Sequence, residues 1–264
     1  MHLSLVCIII RIMKKAIILA SFGTSYLETR SKTIERIENE ARMRFSNFTV
    51  VAAYTSNIVR SILKKRDGLI IASPQEAVDN LLKQGFTEIY IQPTHIIPGA
   101  EYDKLKIQNC ILGKTLLHEG ADFEKIIAAL ELRQLPENTA AIFMGHGSYH
   151  AADKFYDILE RKIQEKNYNN FFMGTVEGTK TIQDILPHLE KKKIRDVYLY
   201  PFMFVAGDHA QNDMAGDEAE SWKQILKQNN YTVYPVLRGL GESSKIRELI
   251  FTSLENTITN HKNN

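Results

Sequence analysis

The sequence predicts an α/β protein made of two similar Rossmann-like halves, each a parallel sheet flanked by helices, with a cleft between them. Two observations predict it. Short apolar runs rich in β-branched residues alternate with amphipathic stretches along the chain, as expected of parallel strands joined by crossover helices. The first half of the chain can also be laid over the second at three places in the same order, which is the mark of a duplicated unit.

In chain order, the runs at 16–20, 50–53, 89–91, 141–144, 171–176 and 197–200 read as strands. Helices are expected at 32–44, 74–84, 153–166, 181–192 and 217–228. The 74–84 helix is the best punctuated. Pro74 opens it, Ala77, Val78, Leu81 and Leu82 recur at helical spacing, and Gly85 follows its end.

The internal matches give the two halves a common frame. Residues 16–24 (AIILASFGT) match 140–148 (AAIFMGHGS), a strand running into a glycine turn. Residues 88–99 (EIYIQPTHIIPG) match 196–207 (DVYLYPFMFVAG), with Tyr, Pro and Gly in register. A weaker third match sets 49–55 against 171–177. The expected division is therefore a first half at 13–135, ending in a connection from about 113, and a second half at 136–264.

Residues 1–12 are expected to be a non-native or disordered leader. Their apolar run, 5–10, has no basic residue before it and no small-residue cleavage site after it, and it falls far short of the roughly 20 residues of a membrane span. Met13-Lys14-Lys15 leads straight into a strong strand. Cys7 and Cys110 are too few for a disulfide framework, which fits a reducing cytoplasm. With 33 basic and 31 acidic side chains the net charge is only +2, so no nucleic-acid partner is expected. A membrane partner is not expected either, and homo-oligomerisation is left open.

Ligands of open parallel sheets bind beyond the carboxyl ends of the strands. The matched frame names the residues there: Phe22, Thr55 and Glu101 in the first half, and His146, Glu177 and His209 in the second. Two imidazoles and a carboxylate from three strand ends suit a borderline divalent ion such as Co²⁺, Fe²⁺, Ni²⁺ or Zn²⁺. Each has an ordinary alternative. His146, between Gly145 and Gly147, can be a hydrogen-bonded turn residue. Glu177 can cap the next helix, and His209 can simply open one.

Asp213, Asp217 and Glu220 follow His209 at near-helical spacing. They read either as a ladder passing metal or protons toward the site or as a solvated acidic face. His150 reads as a supporting group, and His95, His118 and His188 as loop or helix-surface residues. Other chemistries lack their motifs: there is no Gly-x-Gly-x-x-Gly run after a strand, no Gly-Lys-Ser/Thr phosphate loop and no Gly-x-Ser-x-Gly elbow.

At these residues the sequence resembles the anaerobic cobalt chelatases of cobalamin biosynthesis, the sirohydrochlorin cobaltochelatases of the ferrochelatase-like (class II chelatase) superfamily. SFGTSY at 21–26, QPTHIIPGAEY at 92–102, MGHG at 144–147, Val176-Glu177 and above all VAGDHAQNDMA at 205–215 carry the resemblance, which spans nearly the whole chain from Met13. It implies insertion of Co²⁺ into the tetrapyrrole sirohydrochlorin with release of two protons, and no organic cofactor. It also implies cobalt bound by His146, Glu177 and His209, with an active-site glutamate at Glu101 facing the metal from the first half.

On this reading His146 is the principal base, Glu177 and His209 hold and hand over the metal, and Glu101 opposes them across the macrocycle. Phe22, Phe202 and Phe204 are candidates to pack on the ring, with core packing the alternative. An iron or nickel chelatase of the same fold, or a non-enzymatic metal or tetrapyrrole carrier, stays open at this point.

Overall fold

The computed structural model describes residues 14–263, so the leader expected at 1–12 lies outside the described residues. The first half contains β1 (Lys14–Ser21), α1 (Leu27–Lys32), α2 (Ile34–Arg44), β2 (Thr49–Tyr54), α3 (Asn57–Asp67), α4 (Pro74–Lys83), β3 (Phe86–Pro93), α5 (Ala100–Asp103) and β4 (Ile111–Leu112). After α6 (Phe123–Leu130) come β5 (Thr139–Gly145), α7 (Lys154–Glu165), β6 (Phe171–Thr175), α8 (Ile182–Lys191) and β7 (Asp196–Pro201). The chain continues through a π turn (Ala210–Met214), α9 (Trp222–Gln228), β8 (Thr232–Pro235) and α10 (Ser244–Asn263).

Two four-stranded sheets result, ordered β2-β1-β3-β4 and β6-β5-β7-β8, and every pairing in both is parallel. The identical order confirms the duplicated plan. Register tests each match between the halves. Ala16 pairs with Ile89 as Ala140 pairs with Val197, so the first and second matches hold. The third is one residue out: Ile17 pairs with Val50 whereas Ala141 pairs with Phe171. The first-half counterpart of Glu177 is thus Ser56, not Thr55.

Side chains alternate between two cores along the central strands, as the pleat requires. Ala16, Ile18 and Ala20 pack outward with Ala77, Val78 and Leu81 of α4, while Ala140, Ile142 and Met144 pack outward with Ile182, Ile185 and Leu189 of α8. Ile17, Leu19, Ala141 and Phe143 point the other way, into one large core common to both halves. That core also takes Ile246, Ile250, Leu254 and Ile258 of α10, which packs on α6 and touches β3 and β4.

Two expected helices differ in detail. The 32–44 segment breaks at Thr33, whose φ of −122° and ψ of −78° separate α1 from α2. The 217–228 segment becomes helical only at Trp222, with Ser221 as its N-cap. The structure also adds α3, α5, α6, α10, β4 and β8.

Candidate metal centre

The residues sequence reasoning assembled do converge: His146, Glu177 and His209 each offer a ligand atom, and those atoms all lie within 4.8 Å of one another. Each arrives from a strand end. His146 follows β5 directly, Glu177 stands two residues past β6, and His209 enters the π turn after β7. β5 lies between β6 and β7, so this is the point where the strand order reverses and a crevice opens. Four ligands about 2.1 Å from a tetrahedral ion stand roughly 3.4 Å apart. The three side chains therefore need to close by only about an ångström around a cation.

Two glycines let the ligand loops meet. Gly147 has φ +83°, and a Cβ built on it would lie 2.4 Å from Gly178 N. With no side chain at either position the loops touch backbone to backbone, and Glu177 N donates to His146 O at 2.8 Å.

Hydrogen bonds orient both imidazoles. His146 Nδ1 lies 3.0 Å from Gly147 O, so this nitrogen carries the proton and the lone pair falls on Nε2. His209 Nδ1 lies 2.7 Å from Asp213 Oδ2, the carboxylate–histidine pairing that presents the other nitrogen to a metal. The two rings are perpendicular with centroids 4.6 Å apart. His146 and His209 retain 34% and 26% of their side-chain exposure, so the centre is lined by the protein yet open to arriving ions.

The π turn explains Asp213. Ala215 N bonds to Ala210 O and Gly216 N to Asn212 O, while buried Ala210 and Met214 anchor the segment from below. This winding brings Asp213 back against His209 and then ends. The acidic ladder is therefore not formed: Asp217 pairs with Lys223 at 2.7 Å and is almost fully exposed.

Glu101 is not part of the trio. It sits on α5, where its carboxylate pairs with Lys104. Burial raises its pKa, but hydrogen bonds from Lys104 and Thr55 and the nearby Lys104 charge outweigh that and hold it below the usual carboxylate range. Its Oε2 is buried with no partner.

Beside it is His95, which the sequence offered as a loop or helix-surface residue with no part in the site. His95 is partly buried, Thr55 Oγ1 lies 3.4 Å from its Nε2, and its Nδ1 is unpartnered. Desolvation lowers its pKa to about 4 against the opposing pull of Glu101. His95 stands two residues past β3, so the strand-end rule that found the trio could have found it.

Of the three phenylalanines, only Phe22 faces the centre, with its ring 6.1 Å from that of His146. Phe202 and Phe204 belong to the common core. His150 caps the turn before α7, accepting from Ala152 N, rather than supporting a ligand. The halves meet at the cleft in a reciprocal way. A Cβ on Gly99 would lie 3.4 Å from Ser148 Oγ, and one on Gly207 would lie 3.4 Å from Thr24 Oγ1.

Comparison with known proteins gives the family and the fold. A cobalt chelatase (CbiK) family model matches residues 15–259. The chain is 33% identical over 257 residues to a sirohydrochlorin cobaltochelatase of Salmonella typhimurium, covering 93% of this chain and 97% of that protein. It is 34% identical to the sirohydrochlorin cobaltochelatase CbiKC of Nitratidesulfovibrio vulgaris, covering 87% and 85%. Its fold is that of SirB from Bacillus subtilis, solved with Fe³⁺, at a TM-score of 0.65 and 15% identity over 95% of this chain and 98% of that one. The chelatase-like protein DR2241 of Deinococcus radiodurans shares it at a TM-score of 0.53 and 11% identity, over 91% of this chain and 54% of that one.

Proposed function

Since the chain belongs to the cobalt chelatase (CbiK) family, we propose that it inserts Co²⁺ into sirohydrochlorin for cobalamin synthesis, releasing two protons. The observation that carries the assignment of roles is the convergence of His146, Glu177 and His209. Cobalt is a substrate here, and the trio is its loading point.

Insertion requires a partly desolvated cation to be handed to the macrocycle nitrogens while two N–H protons leave. Glu177, 54% exposed, is the ligand best placed to take the ion from solvent. His209, braced by Asp213, holds it. His146 offers Nε2, which binds metal or proton but not both at once. As the ion passes to the macrocycle, the vacated lone pair takes one displaced proton. Glu101, kept ionised by Lys104 and Thr55, opposes the trio from the first half, where its carboxylate accepts the second displaced proton and passes it to solvent. Phe22 supplies an apolar surface for the ring beside His146.

The test is to mix the protein with sirohydrochlorin and Co²⁺ and follow the absorption spectrum, repeating it with Fe²⁺ and Ni²⁺. Acceleration over buffer, greatest with Co²⁺ and lost in His146→Ala, supports the reading. Tight binding without turnover would make the protein a carrier, and faster insertion of another metal would reassign its substrate. No described helix is long and apolar enough to cross a membrane. The low cysteine count is what supports our reading that the reaction runs in a reducing cytoplasm.

A further inference from the structure

Asp153 lies in the short turn before α7 and is 6% exposed. Its Oδ1 accepts from Ser148 N at 3.1 Å; its Oδ2 accepts from Thr179 N and from Thr179 Oγ1, both at 2.9 Å. Ser148 is two residues past His146, and Thr179 is two residues past Glu177. One buried carboxylate therefore ties together the two loops that carry two of the three ligands. Gly178 makes the room, since a Cβ there would lie 2.5 Å from Oδ2 and 2.6 Å from Oδ1.

The first half serves as an internal control. Its equivalent loops are joined by the same backbone bonds: Thr55 N to Ser21 O and Ser56 N to Phe22 O match Val176 N to Gly145 O and Glu177 N to His146 O. The residue at the same distance past its strand is Thr29, which bonds to Ala206 O across the cleft and straps nothing. The carboxylate strap exists only in the half whose loops carry ligands. A buried charge is costly unless hydrogen bonds compensate it, and here the compensating donors are the two loops themselves.

We infer that Asp153 is a positioning residue for the metal, fixing the separation of His146 and Glu177 and so setting the affinity for the cation without touching it. This rests on the reading that the trio loads the metal. Outer partners of metal ligands typically govern affinity by 10- to 100-fold.

The experiment titrates metal-free protein with Co²⁺, reading the d–d absorption band, and measures KM for cobalt and for sirohydrochlorin. Asp153→Asn should weaken cobalt binding about tenfold or more, shift the band and raise KM for cobalt while leaving that for sirohydrochlorin unchanged. Thr179→Val removes one hydrogen bond from an exposed position, so folding is spared; it should weaken binding several-fold, and Thr179→Ser should restore it. Wild-type affinity and spectrum in both Asp153→Asn and Thr179→Val would overturn the inference, as would an equal rise in both KM values. If wild-type protein bound Co²⁺ no better than His209→Ala, the loading-point reading itself would fall instead.

Discussion

Asp213 stands 2.7 Å from His209 Nδ1, four residues along a π turn, and so leaves Nε2 as the imidazole nitrogen that would meet a cation in the proposed loading site. Asp213→Ala should let the ring rotate and change tautomer. The expected result is a 10- to 100-fold loss in cobalt affinity. Because the Asp213 side chain keeps 45% of its exposure, the melting temperature should move little, and calorimetric titration beside a thermal melt separates the two effects.

Gly147→Ala should be among the most damaging single methyl additions in the chain. The methyl group would meet Gly178 N at 2.4 Å and occupy a φ of +83°. Forcing the loops apart should abolish tight Co²⁺ binding and cost about 2 kcal/mol or more of stability. Denaturant unfolding and metal titration on the same preparation check both.

His95 gives the fold a specific acid sensitivity. Its pKa is about 4 when folded, against roughly 6.5 in the unfolded chain. Between those values the unfolded chain binds a proton that the folded one refuses, so stability falls as pH drops from 6.5 to 4 and this group adds no further loss below 4. The loss is on the order of 3 kcal/mol. His95→Gln should flatten it, so the wild-type and variant denaturant midpoints should differ in their change between pH 7.5 and 5.

Arg247, 2% exposed, fixes α10 to α2 by donating from two nitrogens to Glu40 and from a third to Gly241 O. Glu40→Ala would strand a buried cation and should cost about 3–5 kcal/mol. In a chain of this size that lowers the melting temperature by roughly 10 °C. Replacing both partners with apolar residues should recover most of it, which a melt of the double variant tests.

What the sequence made legible follows from periodicity and repetition. The six expected strands were found because their apolar runs end at glycine, proline or polar turns, and the trio followed from placing residues at strand ends. α3 was missed although Ile58, Val59, Ile62 and Leu63 recur at helical spacing between Ser56 and Gly68; that stripe belongs to a surface helix, with Leu63 its one buried side chain and Ile58 and Ile62 exposed. Ile246, Ile250, Leu254 and Ile258 do carry a helical spacing, but nothing in it says that α10 crosses to the first half. The register slip at Thr55 arose because β2 and β6 share too few distinctive residues to fix an alignment to one position. Asp153 went unread because two of its three donors are the backbone amides of Ser148 and Thr179, which leave no trace in side-chain spacing, and the third, Thr179 Oγ1, lies 26 residues away.

The contact between Gly147 and Gly178 also bears on how this centre can change over time. With a side chain excluded from both positions, the two loops proposed to hold the cation cannot vary at their point of contact. Variation that retunes the preferred ion has to enter from outside them, at supports such as Asp153 and Asp213 or on the facing wall at Phe22. Metal selectivity in such a protein would evolve through its neighbours while the ligands themselves stand still.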